Sequence, residues 1–206
     1  MSDRALALTR RSLIAAGLAV AIAAPLSAQE ARAVVENSIG AADAPVTVIE
    51  YASLTCPHCA NFHMNVLPQL KSEYIDTGKV RLVYREVYFD RPSLWAAMIA
   101  RCAGEDRYFG VVDLLFRDQA SWSRAADAQG VVSGLYAIGR QAGMTDAAMD
   151  ACLKDGAFAE AMVAEFQKNA TADGVESTPS FVINGEKVTN QPWPEFKAKI
   201  EEKLAS

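Results

Sequence analysis

Residues 44–63 read "APVTVIEYASLTCPHCANFH", and the order of elements around this stretch decides the fold. Val46 to Tyr51 is a β-branched run opened by Pro45 and apolar on both faces apart from Glu50. That pattern predicts a short strand in the middle of a sheet covered on both sides. Beyond the strand, Phe62, Val66, Leu67 and Leu70 recur at helical spacing, which predicts a helix starting at or just after Cys56. Pro57 suits the first helical turn, where a missing N–H costs nothing. Pro68 predicts a kink, because its ring displaces one backbone hydrogen bond. Cys56 and Cys59 therefore fall one helical turn apart at the start of a helix that leaves a central strand.

Working outward, "KVRLVYREVYF" (residues 79–89) follows a turn at Gly78 and reads as a second strand. Strand, helix and strand in this order imply a right-handed crossover with parallel pairing. From Pro92 to about Ala172 the pattern changes to alanine-rich amphipathic segments punctuated by glycines, with Thr145 placed as an N-cap. "TPSFVINGEKV" (178–188) then reads as a β-hairpin turning at Asn184-Gly185. "PEFKAKIEEKL" (194–204) closes the chain as a helix. The expected organisation is an N-terminal targeting segment over 1–28, a first α/β part over 29–91, an all-helical insertion over 92–172 and a second α/β part over 173–206.

The targeting segment has a basic start at Arg4, Arg10 and Arg11, then an apolar run from Leu13 to Leu26 ending in "LSA". This is the pattern of a secretory signal peptide cut near Ala28, and the run falls short of the ~20 residues that span a bilayer. An uncleaved anchor is the alternative. The Arg10-Arg11 pair also permits the twin-arginine route beside ordinary secretion. Cutting after Ala28 leaves 17 basic and 24 acidic residues, with no basic stripe. Nucleic acid is excluded as a partner on that charge. Outside the cytosol thiols tend to pair, and the four cysteines, Cys56, Cys59, Cys102 and Cys152, are an even count.

A CxxC pair can hold a metal, form a permanent bridge or exchange electrons. For zinc, Cys56, Cys59 and His63 supply three ligands, but no second C-x₂-C or H-x₃-H pair exists to complete the set. Haem attachment needs a histidine directly after the second cysteine, where Ala60 stands. A permanent bridge across two residues closes a tiny loop and stabilises little. Redox exchange fits best. A cysteine attacks as its thiolate, and the free N–H groups at a helix start favour that anion. His58, protonated or donating a hydrogen bond, adds to the effect. His63 reads as an ordinary packed or solvated residue. Cys102 and Cys152 fall in different predicted helices, where a bridge closing about 50 residues would be worth roughly 4 kcal/mol. A structural staple is the reading preferred over two free thiols or a second redox pair.

"CPHC" at 56–59, "STPSFVINGE" at 177–186 and the helical block between them together resemble the DsbA family of thiol:disulfide oxidoreductases. The resemblance covers nearly all of the chain after the targeting segment and implies a thioredoxin-like α/β fold with an inserted all-helical domain. It implies that Cys56 is the exposed sulfur attacked by substrate thiols, within the Cys56-Pro57-His58-Cys59 loop, and that Cys59 is the buried resolving partner. Glu50 stands six positions before Cys56, where the family carries a buried acid, and would relay the Cys59 proton. Pro179 would follow a cis peptide bond, leaving the Thr178 backbone free to pair with an extended substrate segment. No cofactor or metal is implied. Implied partners are exported proteins with free cysteines and a membrane quinone-linked reoxidase of the DsbB type. Pro57-His58 points to an oxidase, while Thr178 is also found before this proline in isomerase relatives. Between Gln29 and Pro45 there is too little chain for the dimerisation domain of such isomerases, so the expectation is a monomeric oxidant in the periplasm.

Overall fold

A computed structural model describes residues 32–206. The targeting segment and its cut lie outside the described residues. A five-stranded sheet forms the centre, with β1 (Asn37–Ile39), β2 (Val46–Ala52), β3 (Val80–Glu86), β4 (Ser180–Ile183) and β5 (Glu186–Thr189) in the order β1-β3-β2-β4-β5. β2 is central and pairs in parallel with β3, Glu50 lying beside Tyr84. It pairs antiparallel with β4 on its other side, and both edge strands are antiparallel to their neighbours. The connection from β2 to β3 runs through α1 (Pro57–Asn65), α2 (Leu67–Leu70) and a π-helical turn at Lys71–Ile75.

Alternation along β2 assigns its two faces. Val46 and Val48 pack on one side with Phe62, Leu70, Phe181 and Phe196. Tyr51 lies on the other side with Val182 and Ala170. The first face carries α1, α2 and α9 (Trp193–Leu204); the second is covered by α8 (Gly156–Ala172). Further along the first face, Ala52 and Tyr84 join a second apolar cluster built mainly from the helical block. Glu50 lies on this face between Val48 and Ala52, where the two clusters meet.

Pro68 does more than kink the predicted helix. α1 ends at Asn65, Val66 separates it from α2, and Pro68 occupies the first turn of the new helix. The proline has no N–H to give and its ring crowds the preceding turn, so restarting the helix costs less than bending it.

Six helices separate β3 from β4: α3 (Arg91–Cys102), α4 (Glu105–Arg117), α5 (Gln119–Ser123), α6 (Ala128–Gln141), α7 (Asp146–Leu153) and α8. Side-chain caps start four of them. Asp90, Asp127, Thr145 and Asp155 accept from Ser93, Gly130, Ala148 and Phe158 respectively, each a contribution of about 1 kcal/mol. Their shared core joins Ala96, Ala97, Ile99, Val112, Leu115 and Leu135. A disulfide between Cys102 and Cys152 ties α3 to α7. Nearby, Arg101 forks onto the buried Glu86 at 2.7 and 2.6 Å, and Tyr108 donates to the same carboxylate at 2.7 Å. The end of β3 is thereby fastened to α3 and α4 by a paired rather than a stranded charge. In the hairpin Asn184 and Gly185 both have positive φ, 45° and 83°, as a two-residue turn of this twist requires.

Candidate active site

The site forms where β2 ends and α1 begins. Cys56 has extended backbone angles (φ −81°, ψ 120°) and immediately precedes the helix, with Pro57 in the first turn. Its sulfur is therefore next to amides that have no intrahelical acceptor. The loop before it is fixed from two directions. Asp90, the cap of α3, accepts from the Thr55 hydroxyl at 2.8 Å. Gln119 of α5 donates to the carbonyls of Leu54 and Cys56 at 2.8 and 3.0 Å. The helical block thus sets the position of the nucleophile's backbone directly. Neither Asp90 nor Gln119 was identifiable from the sequence, because each acts across a long sequence separation from an unremarkable helix start.

Cys56 is half-buried and Cys59 buried, and the structure holds both as free thiols. The Cys56 thiol is lowered from 9.0 to about 5. A hydrogen bond from the Cys59 thiol is the largest cause and acts against the cost of burial. The Thr178 side chain and the backbone amides of Cys59 and His58 add to it. Cys59 behaves in the opposite way: burial pushes its thiol far up, and the negative charges of Cys56 and Glu50 push in the same direction. The outer sulfur is an anion at neutral pH while the inner one keeps its proton.

His58 acts on the anion through its main chain. Its imidazole is exposed, and its backbone amide is what reaches the sulfur. Across the site, the Thr178–Pro179 peptide bond is cis. The Thr178 carbonyl oxygen lies 3.5 Å from the Cys56 sulfur. As a thiol Cys56 can donate to that carbonyl; as a thiolate it is favoured by the Thr178 side chain instead. Pro57 is exposed, Pro179 is buried, and Ser180 begins β4 directly after it. Cys56, Cys59, Pro57, His58, Thr178 and Pro179 thus converge on one patch, and Glu50 lies beneath it. The Cys102–Cys152 bridge belongs to the helical block.

Glu50 is fully buried. Its Oε2 stands 3.2 Å from Nε2 of His63, which is buried too. Sequence reading treated His63 as a bystander. Its spacing from Cys59 places both on one face of α1, a signal that was present but silent without knowledge of where Glu50 points. Among the described residues no group of three or more His, Cys, Asp or Glu side chains is arranged to hold a metal ion.

The comparisons agree with this fold. A family model described as Thioredoxin matches residues 32–202. The crystal structure of Wolbachia pipientis alpha-DsbA1 superposes with a TM-score of 0.75 at 28% identity, covering 82% of this chain and 91% of that one. A Rickettsia bellii protein, named provisionally as a protein-disulfide oxidoreductase, is 32% identical over 167 residues, or 81% of this chain and 63% of its own length. Disulfide bond formation protein D of Bacillus subtilis is 26% identical over 174 residues, 81% of this chain and 76% of that protein. This chain spans between 53% and 63% of the length of the Rickettsia relatives it matches. It belongs to the thioredoxin family and is DsbA-like.

Proposed function

We propose that this protein is an exported thiol:disulfide oxidoreductase that donates a Cys56–Cys59 disulfide to other exported proteins. The observation that carries this reading is the split in proton affinity between the two thiols: about 5 for Cys56 and far above the ordinary value for Cys59. A site that stabilises one thiolate stabilises the reduced form, so the oxidised form gives its disulfide away readily. In the forward reaction a substrate thiolate attacks the Cys56 sulfur and expels Cys59 as a thiolate, which takes up a proton. A second substrate thiolate then attacks the substrate sulfur of the mixed disulfide. This releases oxidised substrate and Cys56 as a thiolate, so two electrons pass from substrate to enzyme. In this reading the Thr178 backbone, whose carbonyl is 3.5 Å from the Cys56 sulfur, pairs with an extended substrate segment during the mixed-disulfide stage.

The alternatives within the same chemistry are an isomerase and a reductase. Export is supported by the sequence of residues 1–28, and among the described residues no helix is long and apolar enough to cross a membrane. A quinone-linked membrane reoxidase of the DsbB type is the partner that DsbA-like proteins imply. The test compares two substrates: a reduced protein that must gain disulfides and a scrambled one that must exchange them. The oxidase reading requires the oxidised protein to oxidise the first in stoichiometric amounts. Faster rescue of the scrambled substrate, with slow oxidation of the reduced one, would assign an isomerase. Exchange with neither substrate would remove the oxidoreductase assignment.

A further inference from the structure

Among the described residues, Glu50, His63 and Tyr84 are buried titratable groups close to Cys59, and of these Glu50 and His63 can take up a further proton. Glu50 extends from β2, Tyr84 lies beside it in β3, and His63 descends from α1 to meet the carboxylate at 3.2 Å. The imidazole is clasped by aromatic rings, with Phe116 of α4 at 4.2 Å between centroids and Tyr84 edge-on at 5.5 Å. It is therefore fixed in orientation. Among the described residues, no protein group hydrogen-bonds to three polar atoms of this cluster: Glu50 Oε1, His63 Nδ1 and the Tyr84 hydroxyl. Burying them so costs stability, and a retained cost of this kind points to a functional role for the cluster. Cys59 is four residues before His63 on the same helix face, and the Glu50 charge is close enough to act on the Cys59 thiol. Groups facing the imidazole are thus Glu50 from β2, Tyr84 from β3, uncharged Phe116 from α4 and Cys59 along α1. Glu86, two residues after Tyr84, has its charge answered by Arg101.

We propose that His63 is a positioning residue: it completes a buried carboxyl–imidazole pair with Glu50, the acid to which the family resemblance already assigns the Cys59 proton, and it is this pairing that lets the carboxyl take that proton and return it. The inference rests on the dithiol exchange proposed above and adds the step on which that exchange depends. When Cys59 attacks a mixed disulfide at Cys56, its S–H bond breaks and the proton passes to the pair. The Cys59 sulfur then bonds to the Cys56 sulfur and the external thiolate leaves with the electron pair. A carboxylate alone is a weak base for a thiol proton. An imidazole bonded to it lets the pair hold that proton as a shared hydrogen bond between two buried partners. In the opposite direction the expelled Cys59 thiolate recovers the same proton.

Reaction of the reduced protein with 5,5′-dithiobis(2-nitrobenzoate) separates the steps. The Cys56 thiolate displaces the first nitrothiobenzoate, and Cys59 displaces the second from the resulting mixed disulfide. His63→Gln keeps a donor near Glu50 but holds no extra proton. We expect its second phase to slow at least tenfold at pH 7, with the first phase within about twofold of wild type. The variant's second phase should rise close to tenfold per pH unit, as hydroxide takes over the proton. Wild type should rise less steeply. Glu50→Gln should reproduce the effect, and the double variant should add little to either single one. A second phase matching wild type in rate and pH profile would overturn the pair, and so would equal slowing of both phases. If His63→Gln does not fold, His63→Asn is read by the same criteria. A slow first phase in the wild-type protein would instead count against the function proposed above.

Discussion

The sulfur of Cys56 and the carbonyl oxygen of Thr178 stand 3.5 Å apart although 122 residues separate them in the chain. The sheet accounts for this proximity. β2 delivers Cys56 at its C-terminal end, and β4, paired antiparallel with β2, starts immediately after Pro179. A nucleophile at a helix start thus faces a stretch of backbone able to hold whatever attaches to it. Cys56 and Thr178 come from two halves of the chain that one strand pair joins.

Reduced and oxidised protein should differ in stability in a pH-dependent way. The folded Cys56 thiol lies near 5 and the unfolded one near its ordinary 9.0, so between these values the unfolded reduced chain binds more protons. The contribution is fully present above pH 9 and is lost as pH falls through about 5. The disulfide form has no such titration. The raised Cys59 thiol acts only above pH 9 and leaves this window unchanged. Thermal melts of both forms from pH 5 to 9 should show the reduced form's advantage growing with pH; an advantage independent of pH would contradict the assignment.

Replacing Cys59 removes the largest single stabiliser of the Cys56 thiolate. Cys59→Ala should raise the Cys56 pKa by more than a unit, read from thiolate absorbance. Given a substrate that already carries a disulfide, the variant's Cys56 thiolate should attack one sulfur, release the other as a thiolate and remain as a mixed disulfide that no inner thiol resolves, visible by mass spectrometry. A variant that keeps the wild-type pKa would show that the helix amides alone hold the anion.

Gln119 links the helical block to the nucleophile's loop. Gln119→Leu leaves the carbonyls of Leu54 and Cys56 without the donor they share. The Cys56 carbonyl keeps the Ala60 amide as a donor, so a loss of about 1–3 kcal/mol is expected from the Leu54 acceptor left unpaired, measured by urea unfolding, with a slower first-phase reaction at Cys56. A loss of stability with no change at Cys56 would limit Gln119 to packing.

The Cys102–Cys152 bridge spans 50 residues. Substituting both cysteines by alanine should cost about 4 kcal/mol on the chain-entropy account. The Cys56 pKa should stay within a few tenths of a unit, because the bridge makes no contact with the dithiol hydrogen bonds described. A large pKa change would mean that the two pairs communicate through the helical block.

Local signals carried most of the fold. β2, the helix after Cys56, the Asn184-Gly185 turn and the Thr145 cap each depend on neighbours a few residues away, and periodicity or turn chemistry exposes them. β1 was missed because three residues at a sheet edge have no period to detect. α5 was missed for the same reason, and Gln119 with it. Glu50 is legible through its spacing within the family pattern, but its partner is not, since pairing a strand carboxylate with a helix imidazole depends on two elements docking. At His58 the group that reaches the sulfur is the backbone amide, which every residue type has and which side-chain chemistry therefore cannot reveal.

The whole account depends on Cys56 being an anion under working conditions. Titrating the thiolate absorbance of the reduced protein near 240 nm, with Cys56→Ser as the baseline, measures this directly. The account predicts a midpoint near 5. A midpoint above about 8, in the range of an unperturbed thiol, would contradict it.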